Sequence, residues 1–175
     1  LLWGAWHDLL GANPAEYLTR STGEQALRLL CVTLSLTPAR VQWSWPELAR
    51  FRRLLGLWTF AYAVLHALCY AWFDMGLDVS DIVRDVAKRP FILVGVTSLC
   101  LLTPLAATSF NSAIRWLGAA RWQRLHRTVY VVAPLVVLHF YWMRAGKHHF
   151  ADVWLYGAWL SALLLWRVVQ SIKRS

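Results

Sequence analysis

LHRTVYVVAPLVVLHFYWM (125–143) holds two histidines, His126 and His139, thirteen residues apart in an otherwise apolar run. LLGLWTFAYAVLHALCYAWF (54–73) carries a third, His66, well inside a second such run. Each run is close to the ~20 residues that cross ~30 Å of hydrocarbon as a helix. An open sheet edge cannot stand in lipid, so such runs are read as helices. A titratable imidazole is costly at that depth and calls for a compensating partner. In a helix bundle a metal is one such partner, and heme iron is a frequent one.

Further apolar runs extend the pattern. They cover 24–38, ended by Thr37-Pro38, 91–108, opened by Pro90, and 151–166, ended before Arg167. Residues 1–10 read as the tail of another apolar segment, followed by a GANP turn (11–14), and 74–90 reads as a surface helix. The predicted fold is all-α, a polytopic transmembrane bundle forming a single domain over 1–175.

Composition agrees. The 175 residues are 58% hydrophobic with mean hydropathy +0.43, and 15% are charged, against about 25% in soluble domains. The net charge of +9 sits in short loops, where it sets topology, so nucleic-acid binding is excluded. Cys31, Cys69 and Cys100 lie singly in apolar runs and read as inert buried thiols. Trp43, Trp45, Trp72, Trp116, Trp122, Trp142 and Trp154 fall near run ends, as an interfacial aromatic belt does. No GxGxxG or GxxxxGK[ST] motif occurs, so reducing equivalents must come from another molecule.

Eleven Lys and Arg lie in 39–53, 109–127 and the C-terminal tail, against seven on the other side. The first side is therefore predicted to be cytoplasmic, with the C-terminus there. Eight of the nine acids fall on the other side. The chain then starts outside, which predicts one preceding crossing and six helices in all.

His66 lies about twelve residues into its run and His139 about fourteen. At ~1.5 Å per residue both sit about 18–21 Å from the cytoplasmic edge, so they share a depth and can grip one heme from both faces. His126 lies ~20 Å below His139, leaving room for a second heme. Thirteen residues, however, rotate a side chain ~140° away from the same face of an ideal helix. A kink at Pro134 would change that phase. His7, His148 and His149 read as solvated outer-surface residues.

Two other readings compete. A His-lined metal transporter would carry intramembrane carboxylates, and the centres of the runs holding the three histidines have none. A purely structural anchor would make the histidines dispensable.

FRRLLGLWTFAYAVLHALCY (51–70) with LHRTVYVVAPLVVLH (125–139) resembles the transmembrane domain of the ferric reductase and NADPH oxidase superfamily. GANP (11–14), TGEQALRLLCVTLSLTPAR (22–40), RRLLGLW (52–58) and RWQRLHRTVY (121–130) are similar, more closely, to the MsrQ family, the heme-binding membrane subunits of bacterial methionine sulfoxide reductase systems. The resemblance implies b-type heme, one or two, with His66, His126 and His139 as iron ligands in three of four family positions. The fourth falls near Arg52, which is not a ligand. A heme at His126 is then five-coordinate, ligated from elsewhere, or absent. Arg52, Arg53, Arg124 and Arg127 are candidate partners for heme propionates, since Arg matches carboxylate geometry. Positive-inside topology already accounts for them.

The resemblance further implies electron export across the bacterial inner membrane. The donor is quinone or a cytoplasmic flavin reductase, FMN is a family cofactor, and the acceptor is MsrP, a periplasmic molybdopterin enzyme. A ferric reductase-like or cytochrome b subunit with another acceptor is the alternative. In either case the chain carries electrons and is not itself the sulfoxide-reducing catalyst. The basic stretches 39–53 and 109–127 are candidate docking surfaces for a donor, and Asp74, Asp78, Asp81 and Asp85 for a periplasmic partner.

Overall fold

In the computed structural model, residues 13–145 and 150–173 are described; His7, Lys147, His148, His149 and Arg174 lie outside them. Among the described residues all regular structure is helical. The elements are α1 (Pro14–Gln42), α2 (Leu48–Cys69) with a π turn at Tyr70–Asp74, α3 (Val79–Lys88), α4 (Pro90–Ala107), α5 (Asn111–Leu117), α6 (Ala119–His126), α7 (Val129–Ala145) and α8 (Ala151–Ile172). Four segments are long and apolar enough to cross a membrane: 50–74, 90–107, 119–145 and 151–172. The chain is an all-α polytopic bundle. Its long helices neighbour one another in the order α1, α2, α4, α7, α8 and back to α1.

α1 departs most from the sequence reading. Asn13 and Pro14 start the helix: Asn13 caps it by accepting from the Glu16 N–H at 3.1 Å, and Pro14 occupies the first turn, while residues 1–12, including Gly11 and Ala12, lie outside the described residues. Thr37-Pro38 does not end the helix, which runs four residues past Pro38. α1 is too polar to count among the four apolar segments, yet it supplies much of the interior, burying Thr22, Leu27, Leu30, Cys31, Thr33 and Leu34. Its hydroxyls are tolerated there because they bond back to the helix's own carbonyls, Thr22 to Leu18 at 2.7 Å and Thr33 to Leu29 at 2.7 Å.

Leu27, Leu30, Cys31 and Leu34 pack with Ala133 of α7 and Leu160 of α8. On the adjoining face of α7, Val132 packs with Leu102 and Leu105 of α4. Val132 and Ala133 are 0% exposed, so α7 is gripped from both sides. The apolar segments otherwise present most of their surface outward, as lipid-facing helices can.

Three further boundaries differ. The predicted 125–143 span is divided: α6 ends at His126, Arg127 and Thr128 form a turn, and α7 begins at Val129. The break between His126 and His139 is thus a turn at 127–128 within the 119–145 segment, while the helix continues through Pro134. α8 continues past Arg167 to Ile172. α2 begins at Leu48 and its π turn carries the helix to Asp74.

The segment 74–90 does contain a surface helix, α3. Asp78 caps it, accepting from the N–H groups of Ser80 and Asp81. The Tyr70 hydroxyl donates to Asp85 at 2.7 Å and fastens α3 to the end of α2. Gly118 (φ 75°) turns α5 into α6 in a backbone region that favours glycine. Trp43, Trp45, Trp72, Trp116, Trp142 and Trp154 are exposed, as belt residues are. Trp122 instead turns inward and donates to the Thr108 carbonyl at 2.8 Å.

Candidate heme-binding site

His66 stands near the C-terminal end of α2, and His139 two-thirds along α7. Their ring centroids are 6.1 Å apart with the planes at 77°. Each ring is oriented by a backbone carbonyl on a neighbouring helix. His66 Nδ1 donates to Thr19 O of α1 at 2.8 Å, and His139 Nδ1 to Phe91 O of α4 at 2.7 Å. A carbonyl only accepts, so both protons sit on Nδ1 and both Nε2 lone pairs are free. Metal-bound histidines are held this way, with the far ring nitrogen donating to a carbonyl or carboxylate.

Two imidazoles binding one metal from opposite sides at about 2 Å each have ring centroids roughly 6 Å apart. The observed spacing matches. Among the described residues, no three His, Cys, Asp or Glu side chains converge as a metal-ion site. The donor set is two neutral imidazoles, which suits an iron whose remaining positions a porphyrin fills.

His126 lies elsewhere, at the opposite, arginine-rich end. It lines a cavity of about 900 Å3 between α1, α2, α4, α5, α6, α7 and α8. Arg50, Arg52, Arg53, Arg127 and Arg167 also line it, and no Asp or Glu does. Leu30, Phe60, Leu102 and Val129 supply apolar parts of its wall. Of the arginines singled out from sequence, Arg124 is not on this lining, and Arg53 is partly engaged, donating to Asn111 Oδ1 at 3.0 Å.

His126 is held differently from the other two. Its ring stacks on Trp122 with centroids 4.0 Å apart, and its Nε2 lies 3.1 Å from Thr108 Oγ1. The Thr108 hydroxyl donates to Pro104 O at 2.6 Å, so the His126 Nε2–H is the donor to Thr108. The nitrogen that is free in His66 and His139 is thus occupied in His126.

Sequence reasoning missed several contributors. Thr19 and Phe91 act through their carbonyls, so their side chains gave no signal. Arg50 was counted only for topology. Arg167 reads in sequence as the end of a span, although apolar residues continue past it, and an arginine within such a run is itself a signal. Its guanidinium turns inward, donating to Tyr130 Oη at 2.6 Å and Leu34 O at 2.7 Å.

Known proteins resemble this chain over most of its length. The family described as ferric reductase like transmembrane component matches residues 22–137. The chain is 60% identical over 168 residues to the protein-methionine-sulfoxide reductase heme-binding subunit MsrQ of Polaromonas naphthalenivorans, covering 96% of this chain and 77% of that one. Against the subunit of the same name from Herminiimonas arsenicoxydans the identity is 52%, covering 92% and 74%. For that of Caulobacter vibrioides it is 46%, covering 96% and 80%. No solved structure matches.

Proposed function

The chain belongs to the MsrQ family of ferric reductase-like transmembrane proteins, and from that premise we propose that it carries electrons across the bacterial inner membrane through b-type heme. They pass from a cytoplasmic-side donor, quinone or a reduced flavin, to a periplasmic molybdopterin methionine sulfoxide reductase, MsrP. The arginine-rich end faces the cytoplasm, as the distribution of basic residues favours, and the C-terminus lies on that side.

The opposed imidazoles of His66 and His139 carry this reading. Their Nε2 atoms would be the ligands that hold a heme iron. The Thr19 and Phe91 carbonyls keep the ring tautomers and orientations fixed and raise ligand basicity. Bound there, the heme supplies one-electron exchange between ferric and ferrous iron. Two histidine ligands would leave no iron position for substrate or oxygen. The chain is therefore a conduit, and sulfoxide reduction belongs to the partner.

At the cytoplasmic end, Arg52, Arg53 and Arg127 line the cavity and would pair with the acidic groups of a cofactor, heme propionates or the FMN phosphate, while Arg124 would serve the docking face. His126 is the ligand available to a second heme there. Taking that role through Nε2 requires it to release Thr108.

A reduced-minus-oxidised absorption spectrum of the purified protein from heme-replete cells tests the proposal. A sharp low-spin b-type α-band is expected, lost in both His66→Ala and His139→Ala. A colourless protein, or an unchanged low-spin band in either variant, overturns it.

A further inference from the structure

Thr19 and Phe91, whose carbonyls hold the two imidazoles, each have a glycine four residues later in the same helix: Gly23 in α1 and Gly95 in α4. In an α-helix the side chain of residue i+4 stands beside the carbonyl of residue i, whose oxygen already accepts the i+4 N–H. A second donor reaching that oxygen from a neighbouring helix must pass over residue i+4.

The space is occupied by the imidazoles. A Cβ on residue 23 would lie 3.0 Å from His66 Nδ1 and 3.1 Å from its Cε1. A Cβ on residue 95 would lie 2.9 Å from His139 Cε1 and 3.0 Å from its Nδ1. Other helical glycines do not share this crowding: at Gly157 the nearest atom is Val137 Cγ1 at 3.6 Å, an ordinary contact.

From these contacts we propose that Thr19–Gly23 and Phe91–Gly95 are two copies of one device, a carbonyl and a glycine four residues apart that together position an axial imidazole. The carbonyl sets the tautomer and the glycine admits the ring to hydrogen-bonding distance. Gly23 and Gly95 are positioning residues. They act through His66 and His139, whose ring atoms a Cβ at either position would meet. The inference rests on the bis-imidazole reading above.

Methylation at either glycine pushes the ring away from its carbonyl and weakens the Nδ1–H···O=C bond. That bond gives the imidazole imidazolate character and stabilises ferric iron. Its loss raises the midpoint potential. Helix propensity acts the other way, since alanine favours the helix over glycine, so a general loss of helix stability is not the expected cause.

The test uses the full-length holoprotein in detergent, with Gly23→Ala, Gly95→Ala and Gly157→Ala compared by EPR, redox titration and heme titration. Gly23→Ala and Gly95→Ala are expected to shift the low-spin g-values, raise the midpoint potential and lower heme affinity roughly 10–100-fold, the range for lost outer-shell partners. Gly157→Ala is expected to match the parent. Parent-like g-values and potential in both Gly23→Ala and Gly95→Ala overturn the device, while loss of heme in His66→Ala and His139→Ala leaves the bis-imidazole reading standing. Heme retained in those two histidine variants overturns that reading itself. Should either glycine variant aggregate, electron–nuclear double resonance of the parent protein decides. Exchangeable, hydrogen-bonded Nδ1 protons are expected on both axial ligands, and their absence on either one overturns the proposal.

Discussion

The Arg167 guanidinium of α8 donates a 2.7 Å hydrogen bond to the carbonyl of Leu34 in α1, the carbonyl that Pro38, four residues on, leaves without a helical donor. Proline inside a helix removes one bond and orphans one acceptor. Inside a membrane bundle that acceptor must be satisfied by protein. Arg167 fills this need and donates also to Tyr130 Oη, with its guanidinium carbon 4.8 Å from the Tyr130 ring centroid. One side chain thus ties α1, α7 and α8 beside the arginine-lined cavity.

Arg167→Met is therefore expected to destabilise the protein by about 1–3 kcal/mol, the cost of a buried acceptor left unsatisfied. Pro38→Ala restores a backbone N–H to Leu34 O and is expected to recover part of that loss. The check is a double-mutant cycle on thermal unfolding in detergent. Strictly additive effects would show that the two residues do not share this carbonyl.

His126→Ala is expected to leave the low-spin EPR signal of the His66/His139 heme in place. The two sites lie at opposite ends of the bundle, and His126 is engaged with Trp122 and Thr108. Heme per polypeptide, measured by pyridine hemochromogen, reports the second site separately: a fall by half identifies His126 as its ligand. Loss of the His66/His139 signal in His126→Ala would contradict the separation of the sites.

Periodicity and cost decided what could be read from sequence. The apolar runs fixed the helices because a bilayer admits few alternatives. Equal depth of His66 and His139 followed from rise per residue, and their rings meet at 6.1 Å. α1 was harder. Its buried face mixes Thr with Leu, and hydroxyls that bond to their own helix leave no clear apolar stripe. The turn at Arg127–Thr128 was unreadable because no Gly or Pro marks it, whereas Pro134 drew attention and lies within continuous helix. Carbonyl acceptors and the glycines beside them depend on which helices become neighbours, which local sequence does not encode.

The start of α3 is expected to depend on pH. Asp78 is exposed, and its carboxyl is held below the usual value of 3.8 first by the Ser80 hydroxyl, then by the backbone N–H groups of Asp81 and Ser80. A group whose pKa is lowered on folding contributes stability above its unfolded value and loses it as pH falls through the folded value. Amide exchange at Ser80 and Asp81, taken relative to the unprotected rate at each pH and followed by NMR from pH 6 downward, should accelerate only below the ordinary carboxyl range. Asp78→Asn keeps an acceptor at the cap and should abolish that acceleration. If it persists in Asp78→Asn, another group controls the cap.

Glu24, adjoining Gly23, anchors an ion-pair cluster at the end of the bundle nearest the paired imidazoles. Arg144 of α7 donates to Glu24 and lies 3.5 Å from Asp152 of α8, and Arg28 reaches Glu24 at 3.3 Å and Tyr156 Oη at 3.1 Å. The cluster joins α1, α7 and α8 at the opposite end from Arg167. The Arg144 and Glu24 side chains are 16% and 26% exposed, too buried for the median surface pair at 0–1 kcal/mol and too wet for the 3–5 kcal/mol of a fully buried one. Glu24→Gln is accordingly expected to cost about 1–2 kcal/mol, since an amide oxygen still accepts from Arg144 but the charge is gone. The exposed pair Arg84–Asp81, 70% and 57% accessible, gives the comparison: Asp81→Asn should change stability by less than about 0.5 kcal/mol. Thermal unfolding at low and high salt separates the cases, because only the exposed pair is fully screened. Equal, salt-abolished effects in both variants would show that the Glu24 cluster is a surface ornament and leave the packing of α1 against α7 to the apolar contacts alone.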